Sequence, residues 1–520
     1  MSKLQILNMQ LKDWKIKYAN LLVSKEISEN NLREEILTYK QALTQKNKQL
    51  ESLFGTIRKQ DAKVAELTKE NIILKESSIV QNDHISKLIS RIKKNSETSS
   101  KPSSTNGFKK PVQNNREKTG NKVGGQLGHK GVGLKLFPNP TKIINKSVPI
   151  CDCGGATELL KDYISKQLAD IKVMLKIFEE RVYRSKCVIC GKIHIGEFSE
   201  EYINPVQYGS NIKALVTILN NHGFVSINKT TDIINSITDN QLNISDATVV
   251  NIQKSLSDKL EATMHSIKEN LINCNVLNAD ETGCRVNGKT NWVQVFCNKH
   301  FTLFNHNKKR GSASIEDTGI LEYFIGILVH DHFSAYYKNS LVTHSECNAH
   351  ILRYLKSILE TFNREWAKEM IELLIDILNR KKAKIALGID ALEPAELEDI
   401  SVAYSEIIEK GKLAYEEAIK GKKNISFFND ERLLIKRLGE FKDEHLRFIT
   451  NFEAPFDNNQ AEKDIRPFKT KMKVSGGFRS ENGVESFSKI FSVFSTLKKN
   501  DMNIFKNVCA IFNGEKLIFE

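Results

Sequence analysis

No stretch of this 520-residue sequence approaches the 18 or more consecutive apolar residues that cross a bilayer, and the opening "MSKLQILNMQLKDWK" lacks an apolar core with a cleavage site. Both absences predict a soluble cytoplasmic protein. Cysteine is scarce and odd in number, nine in all, which argues against a secreted disulfide framework and leaves metal binding as the pattern to test. Proline is absent from residues 1 to 94, and that stretch holds a single glycine, Gly55. Acidic residues are outnumbered: 63 Asp and Glu face 77 Lys and Arg, for a net charge of +14 and a pI near 9.1, which favours an anionic partner. The excess is local. Residues 93 to 135 hold ten Lys/Arg and two Glu, residues 463 to 480 hold six Lys/Arg and one Asp, and these two stretches supply 13 of the 14 net charges.

With no proline to break it, 1–94 reads as one long coiled-coil helix. A seven-residue register places Leu43, Leu50, Ile57, Val64 and Asn71 at one core position and Leu53, Leu67 and Leu74 at the other, then falters at Ser78 and Gln81 before Ile85, Leu88 and Ile92. Asn71 would be a buried polar residue that selects register and favours a dimer; the competing reading is a helix folded back on the protein's own body. Residues 95–145 lose all periodicity. Ser, Asn, Gly, Pro and Lys dominate there, so the segment reads as a basic flexible linker, and the glycines around Gln126 and His129, with Lys130, suit contact with a DNA backbone.

The module 146–200 carries Cys151 and Cys153 in "CDCGG" and Cys187 and Cys190 in "CVICGKIH", with His194 nearby, separated by residues that alternate like strands. Two such pairs suit one structural tetrahedral Zn2+ in a zinc-ribbon-like module, against the alternative of reduced cysteines in a small core. Residues 201–265 read as three or four short helices. "LNISDATVVNIQKSL" begins with a Ser245 cap, as a helix-turn-helix recognition helix would, although any small helical bundle looks similar.

After Asn270 the composition turns to strands. "NCNVLNADETGCRV" brings an alternation to Asp280, "NWVQVFCN" and "FTLFNHN" follow, and "IGILVHDHFSAYY" carries an apolar run to Asp331. Side chains alternate across a strand, so Glu281 and His330 should point away from the face that Asp280 and Asp331 occupy. Later, "FDNNQAEKDIRPFK" opens a helix near Asp457, with Asn458, Glu462 and Arg466 on one face and Pro467 ending or kinking it. In isolation Glu462 and Arg466 read as a solvated pair. Three carboxylates brought to one point, however, repel one another unless divalent cations neutralise them, which is the requirement of a two-metal phosphoryl-transfer site with Mg2+ or Mn2+ ions about 3.5–4 Å apart. Lys463, Arg466, Lys469, Lys471, Lys473 and Arg479 beside the glutamate would hold a polyanionic substrate.

The order of "NSETSSKPSS", "GGQLGHKG", the paired cysteines, "ADETG", "GILVHDHFSAY", "CNAHILR" and "NNQAEKDIRPFK" resembles the insertion sequence 66 family of bacterial transposases over almost the whole chain. That resemblance implies a ribonuclease-H-like catalytic domain in an α/β multidomain chain, with Asp280 and Asp331 as catalytic aspartates and Glu462 as the catalytic glutamate. The two gaps are 51 and 131 residues. It divides the remainder into a first catalytic part at 270–359, a helical insertion at 360–450, a second catalytic part at 451–500 and a C-terminal tail at 501–520. Cys347 and His350 match a Cys-x-x-His signature of such enzymes and would share a helix face, shaping the site or, alternatively, forming a partial zinc site; Arg353, one turn on, would contact a phosphate. The single residue between Cys151 and Cys153 departs from the family's usual pair, and Lys463 stands where arginine is common, keeping charge without bidentate geometry.

The function expected is a transposase that cleaves and joins DNA at the ends of a mobile element. Its partners would be end and target DNA in the nucleoid, a second copy of itself, and small accessory proteins of the element. The alternatives are an inactive or co-opted DNA-binding descendant, and a ribonuclease or junction nuclease on the same fold.

Overall fold

The computed structural model describes residues 3–23, 29–93, 135–339, 341–422 and 424–519, so Lys130 lies outside the described residues. The chain divides into two compact units, Met1–Lys94 with Ala414–Leu433 and Asn95–Leu413 with Leu434–Glu520.

In the first unit the proline-free segment forms two helices rather than one, α1 (Lys3–Val23) and α2 (Glu29–Lys93), which touch each other. Leu50 is buried and Leu43 and Ile57 are half-buried, while Val64, Leu67, Asn71 and Leu74 are exposed. The far half of the heptad stripe is therefore uncovered in the single chain, and Asn71 is not buried there. The side chains of Ile85, Leu88 and Ile92 lie outside the described residues.

The second unit contains the short hairpin β1 (Arg184–Lys186) and β2 (Ile193–Ile195), then α3 (Ser210–Thr217), α4 (Ile227–Ile237), α5 (Asp246–Lys259) and α6 (Glu261–Ile272). Between residues 154 and 186 the alternation forms no strand until β1, and Ile164, Leu168 and Val188 are almost fully exposed, so it reflects no packed sheet. Helix α5 starts as expected: the Ser245 side chain accepts a hydrogen bond from the Thr248 N–H.

A five-stranded sheet follows, built from β3 (Val276–Val286), β4 (Lys289–Cys297), β5 (Thr302–Asn307), β6 (Ile327–His330) and β7 (Thr343–Glu346), in the order β5-β4-β3-β6-β7. The first three strands are antiparallel, whereas β6 runs parallel to β3 and β7 parallel to β6. Asp280 does not close its strand. Asn287 and Gly288, both at positive φ (47° and 73°), form a two-residue turn between Val286 and Lys289 whose twist matches the flanking strands, so β3 continues six residues past Asp280. Asp331 does close its strand, following β6 directly.

One face of the sheet, with Val293, Val295 and Phe304, is covered by Ala461, Ile465 and Phe468 of α13 (Asn459–Ser475). On the other face Leu277, Ala279, Phe296 and Leu328 pack with Ile267 and Leu271 of α6 and with Val493 and Phe494 of α14 (Glu481–Lys499). The remaining helices are α7 (Ser312–Glu316), α8 (Asn348–Phe362), α9 (Glu365–Ala386), α10 (Pro394–Ile419), α11 (Asn429–Glu440), α12 (Lys442–Thr450) and α15 (Ile504–Phe512). Among the described residues, no helix is long and apolar enough to cross a membrane.

Pro467 does not end α13, which runs eight residues beyond it. The missing N–H removes one backbone bond, but buried Ile465 and Phe468 on either side hold the helix to the sheet. The helix also begins later than Asp457: Asn458 is the N-cap, and Asp457 accepts a hydrogen bond from the Asn459 N–H at 3.0 Å.

Candidate active site

The parallel register of β3 and β6 pairs Val276 with Ile327, Leu277 with Leu328 and Asn278 with Val329. Extended two residues, it sets Asp280 beside Asp331 on the same sheet face, with neighbouring strands about 4.8 Å apart. Each uses one oxygen locally: Asp280 Oδ1 accepts from the Glu281 N–H at 2.8 Å, and Asp331 Oδ1 from the Phe333 N–H at 3.0 Å. Burial, reinforced by the Asp331 charge, pushes the Asp280 carboxyl up to about 7. Burial raises Asp331 too, against the Phe333 N–H and the charges of Arg437 and Arg310.

Glu281 and His330 face the opposite side, as alternation requires. Tyr336 donates to Glu281 Oε2 at 3.1 Å, Arg310 Nε donates to Oε1 at 2.9 Å, and the His330 ring lies 4.9 Å from that of Tyr336.

The start of the helix that carries Glu462 is tied to β3 by a residue the sequence reading used only as a helix-face marker. Buried Asn458 accepts from Asn278 Nδ2 at 2.9 Å and donates through its own Nδ2 to the Ala279 carbonyl at 2.7 Å. This double bond fastens the start of α13 to β3 immediately before Asp280. Glu462 follows one turn later, its N–H bonded to the Asn458 carbonyl. Cys347 closes the circuit: its N–H donates to the His330 carbonyl at 2.9 Å, and its Sγ accepts from the Asn458 N–H at 3.2 Å. The Lys469 charge favours the ionised forms of both Asp280 and Glu462.

Glu462 is not the solvated partner of an arginine. Its Oε1 is buried without a hydrogen-bond partner, 3.9 Å from the equally unpartnered His350 Nδ1. Burial raises its carboxyl, opposed by Arg353, which is itself half-buried on α8. Burial also drives the Cys347 thiol up to about 12 and the His350 imidazole down to about 4. Lys463, Arg466, Lys469 and Lys473 are exposed on α13, and the spacing of the last three follows Glu462 along one helix face. Lys471 is a correction: it is buried and donates to the Asn220 backbone and side-chain oxygens at 3.0 and 3.1 Å, a structural clamp with no free charge to offer a substrate.

The sequence reading missed the buried carboxylate of Glu346, at the end of β7. It accepts from His445 Nε2 at 3.0 Å and Arg437 Nε at 2.9 Å, and also from His332 Nδ1 and Tyr337 OH. Burial alone would raise this carboxyl, but bonds from His332 and His445 and the Arg437 charge hold it far below the usual range. Tyr404 OH meets His445 Nδ1 at 2.9 Å. Helices α10 to α12 are thereby tied to the strand beside Asp331. The only hint in the sequence is a lone acid just ahead of "CNAH".

The paired cysteines occupy two separate turns. Cys151 N–H bonds to the Gly155 carbonyl at 2.8 Å, and Cys187 N–H to Lys192 at 2.8 Å, with Gly154 and Gly191 supplying positive φ. Among the described residues, the only group of three or more metal-ligating side chains within reach of one another is Cys347, His350 and Glu462, so neither the two cysteine pairs nor the three acids Asp280, Asp331 and Glu462 are gathered to that closeness.

Asp280 and Asp331 thus stand side by side on the face of the mixed sheet that α13, with its exposed basic residues, covers. Residues 205–486 match the transposase IS66 family model, and the chain belongs to that family. An uncharacterized protein y4jO of Sinorhizobium fredii (strain NBRC 101917 / NGR234) is 35% identical over 72 residues, 14% of this chain and 22% of that protein, so the match spans about a fifth of the relative.

Proposed function

We propose that this transposase cleaves the ends of a bacterial insertion sequence and joins them to target DNA through an Asp-Asp-Glu centre of Asp280, Asp331 and Glu462. One observation supports the reading: the register sets the two aspartates level on one face, and Asn458 ties the start of the glutamate's helix to β3 just before Asp280. The strand order, three antiparallel strands followed by two parallel ones, supports a ribonuclease-H-like core. The two aspartates suit Mg2+ or Mn2+, since hard carboxylate oxygens stand on adjacent strands and burial raises both carboxyls, and Glu462 adds an unpartnered Oε1 on the helix tied to β3. Bound there, two such ions would polarise the attacking oxygen and stabilise the leaving one.

The chain's own residues supply position and charge. Arg466, Lys469 and Lys473, with Lys463 and Arg353, hold the DNA backbone beside the acids, and Arg310 and Arg437 favour the ionised Asp331. The uncovered heptad stripe of α2 would pair two protomers and so two DNA ends. The cysteine turns, drawn together by one Zn2+, and α3 to α5 would read those ends, alongside accessory proteins of the element.

The test is Mg2+-dependent cleavage and joining of end-containing DNA by wild type, Asp280→Asn and Glu462→Gln. Activity confined to wild type is expected. Equal activity in all three removes the assignment, and wild-type binding without cleavage supports the inactive, co-opted alternative. Cleavage without joining supports a plain nuclease.

A further inference from the structure

We propose that Cys347, His350 and Glu462 form a binding site for one borderline-soft divalent ion, Zn2+ by ligand type, beside the Asp280–Asp331 pair and sharing Glu462 with it. Each residue offers one ligand atom, and the three atoms lie within 4.8 Å of one another. Tetrahedral Zn2+ with one sulfur, one nitrogen and one oxygen ligand places those atoms about 3.4–3.6 Å apart, so a contraction of at most about 1.4 Å closes the site, with water as fourth ligand. The His350 Nδ1 to Glu462 Oε1 separation of 3.9 Å is too long for a hydrogen bond and near that of two ligands of one ion.

Local structure preorganises the three. Cys347 is the N-cap of α8, and the His350 N–H bonds to the Cys347 carbonyl at 3.1 Å, so the Cys-x-x-His spacing turns both side chains the same way. Glu462 comes from the facing helix α13. Two polar atoms of the trio, His350 Nδ1 and Glu462 Oε1, are buried with no hydrogen-bond partner, a costly state that a cation between them removes. The third is also prepared: the Asn458 N–H already points at Cys347 Sγ at 3.2 Å and would stay as donor to the thiolate. On binding, the ion replaces the thiol proton, which passes to solvent. The set discriminates by type. A thiolate and an imidazole suit Zn2+ or Co2+, whereas Asp280 and Asp331 offer only oxygen. The site stands on its own; only competition for Glu462 rests on the catalytic reading.

The experiment titrates the full chain with Co2+ and then Zn2+, counting bound metal and recording thiolate-to-cobalt charge transfer. Wild type should bind one equivalent more than Cys347→Ser, whatever the other cysteines hold. His350→Gln should weaken that equivalent by about 100-fold or more. Glu462→Gln should also weaken it, while Asp280→Asn leaves it unchanged and millimolar Mg2+ does not displace it. A wild-type count equal to that of both Cys347→Ser and His350→Gln overturns the proposal, as does loss of the equivalent in Asp280→Asn. No catalytic activity enters these readouts, so failure of the Asp-Asp-Glu reading leaves the result interpretable.

Discussion

Replacing Asp280 by asparagine should stabilise the cation-free protein at alkaline pH. The folded-state Asp280 carboxyl sits at about 7 against an ordinary 3.8, because burial and the neighbouring Asp331 disfavour its charge. Between those values the native state holds a proton that the unfolded chain releases. The corresponding stability is fully present below pH 3.8 and is lost as pH rises through about 7. Asparagine has nothing to ionise, and its side-chain oxygen can still accept the Glu281 N–H. A shift of about 3 units at about 1.4 kcal/mol each sets a ceiling near 4 kcal/mol. Relaxation around the charged pair lowers this, so about 2–4 kcal/mol is expected at pH 8. For the second unit, about 400 residues, that corresponds to a Tm rise of about 2–5 °C. Thermal melts in chelator at pH 5 and pH 8 measure it. Asp280→Asn should exceed wild type at pH 8 by several times its margin at pH 5, and Mg2+ should raise Tm for wild type at pH 8 much more than for the variant. A variant that melts lower than wild type by the same amount at both pH values would show that Asp280 bears no such electrostatic load.

Three further outcomes follow from the same contacts. Arg437→Ala leaves the buried Glu346 carboxylate without its main countercharge and should cost about 3–5 kcal/mol, read as a lower denaturation midpoint, with Arg437→Lys recovering part of it. Asn458→Ala removes two buried bonds to β3 and should cost about 2 kcal/mol, while lowering DNA cleavage by more than its stability loss explains because Glu462 loses its seat. Changing Arg466, Lys469 and Lys473 together to glutamine should weaken DNA binding and flatten the dependence of log K on log salt by about 3 units, whereas Lys471→Gln should destabilise the fold without altering that slope.

Strands β3 and β6 were legible because each carries its own apolar pattern, and their two acids stand beside distinctive neighbours. What stayed hidden depends on partners remote in sequence. Asn458 looks like an ordinary cap until Asn278 and the Ala279 carbonyl are found against it, 180 and 179 positions away. Lys471 reads as one more cation in a basic run, and only packing reveals that it points inward to Asn220. The Asn287–Gly288 pair did carry a local signal, a left-handed turn that lets β3 outrun Asp280, and the apolar alternation drew attention away from it. Pro467 illustrates the reverse case: a local rule that burial of its neighbours overrides.

Glu346 takes its countercharge from a guanidinium 91 positions further along the chain. That debt binds two distant passages of sequence into a single heritable trait. A relative that trims away the helices supplying Arg437 and His445 has to abandon the acid in the same step, since an anion stranded in a dry interior is worse than no acid at all.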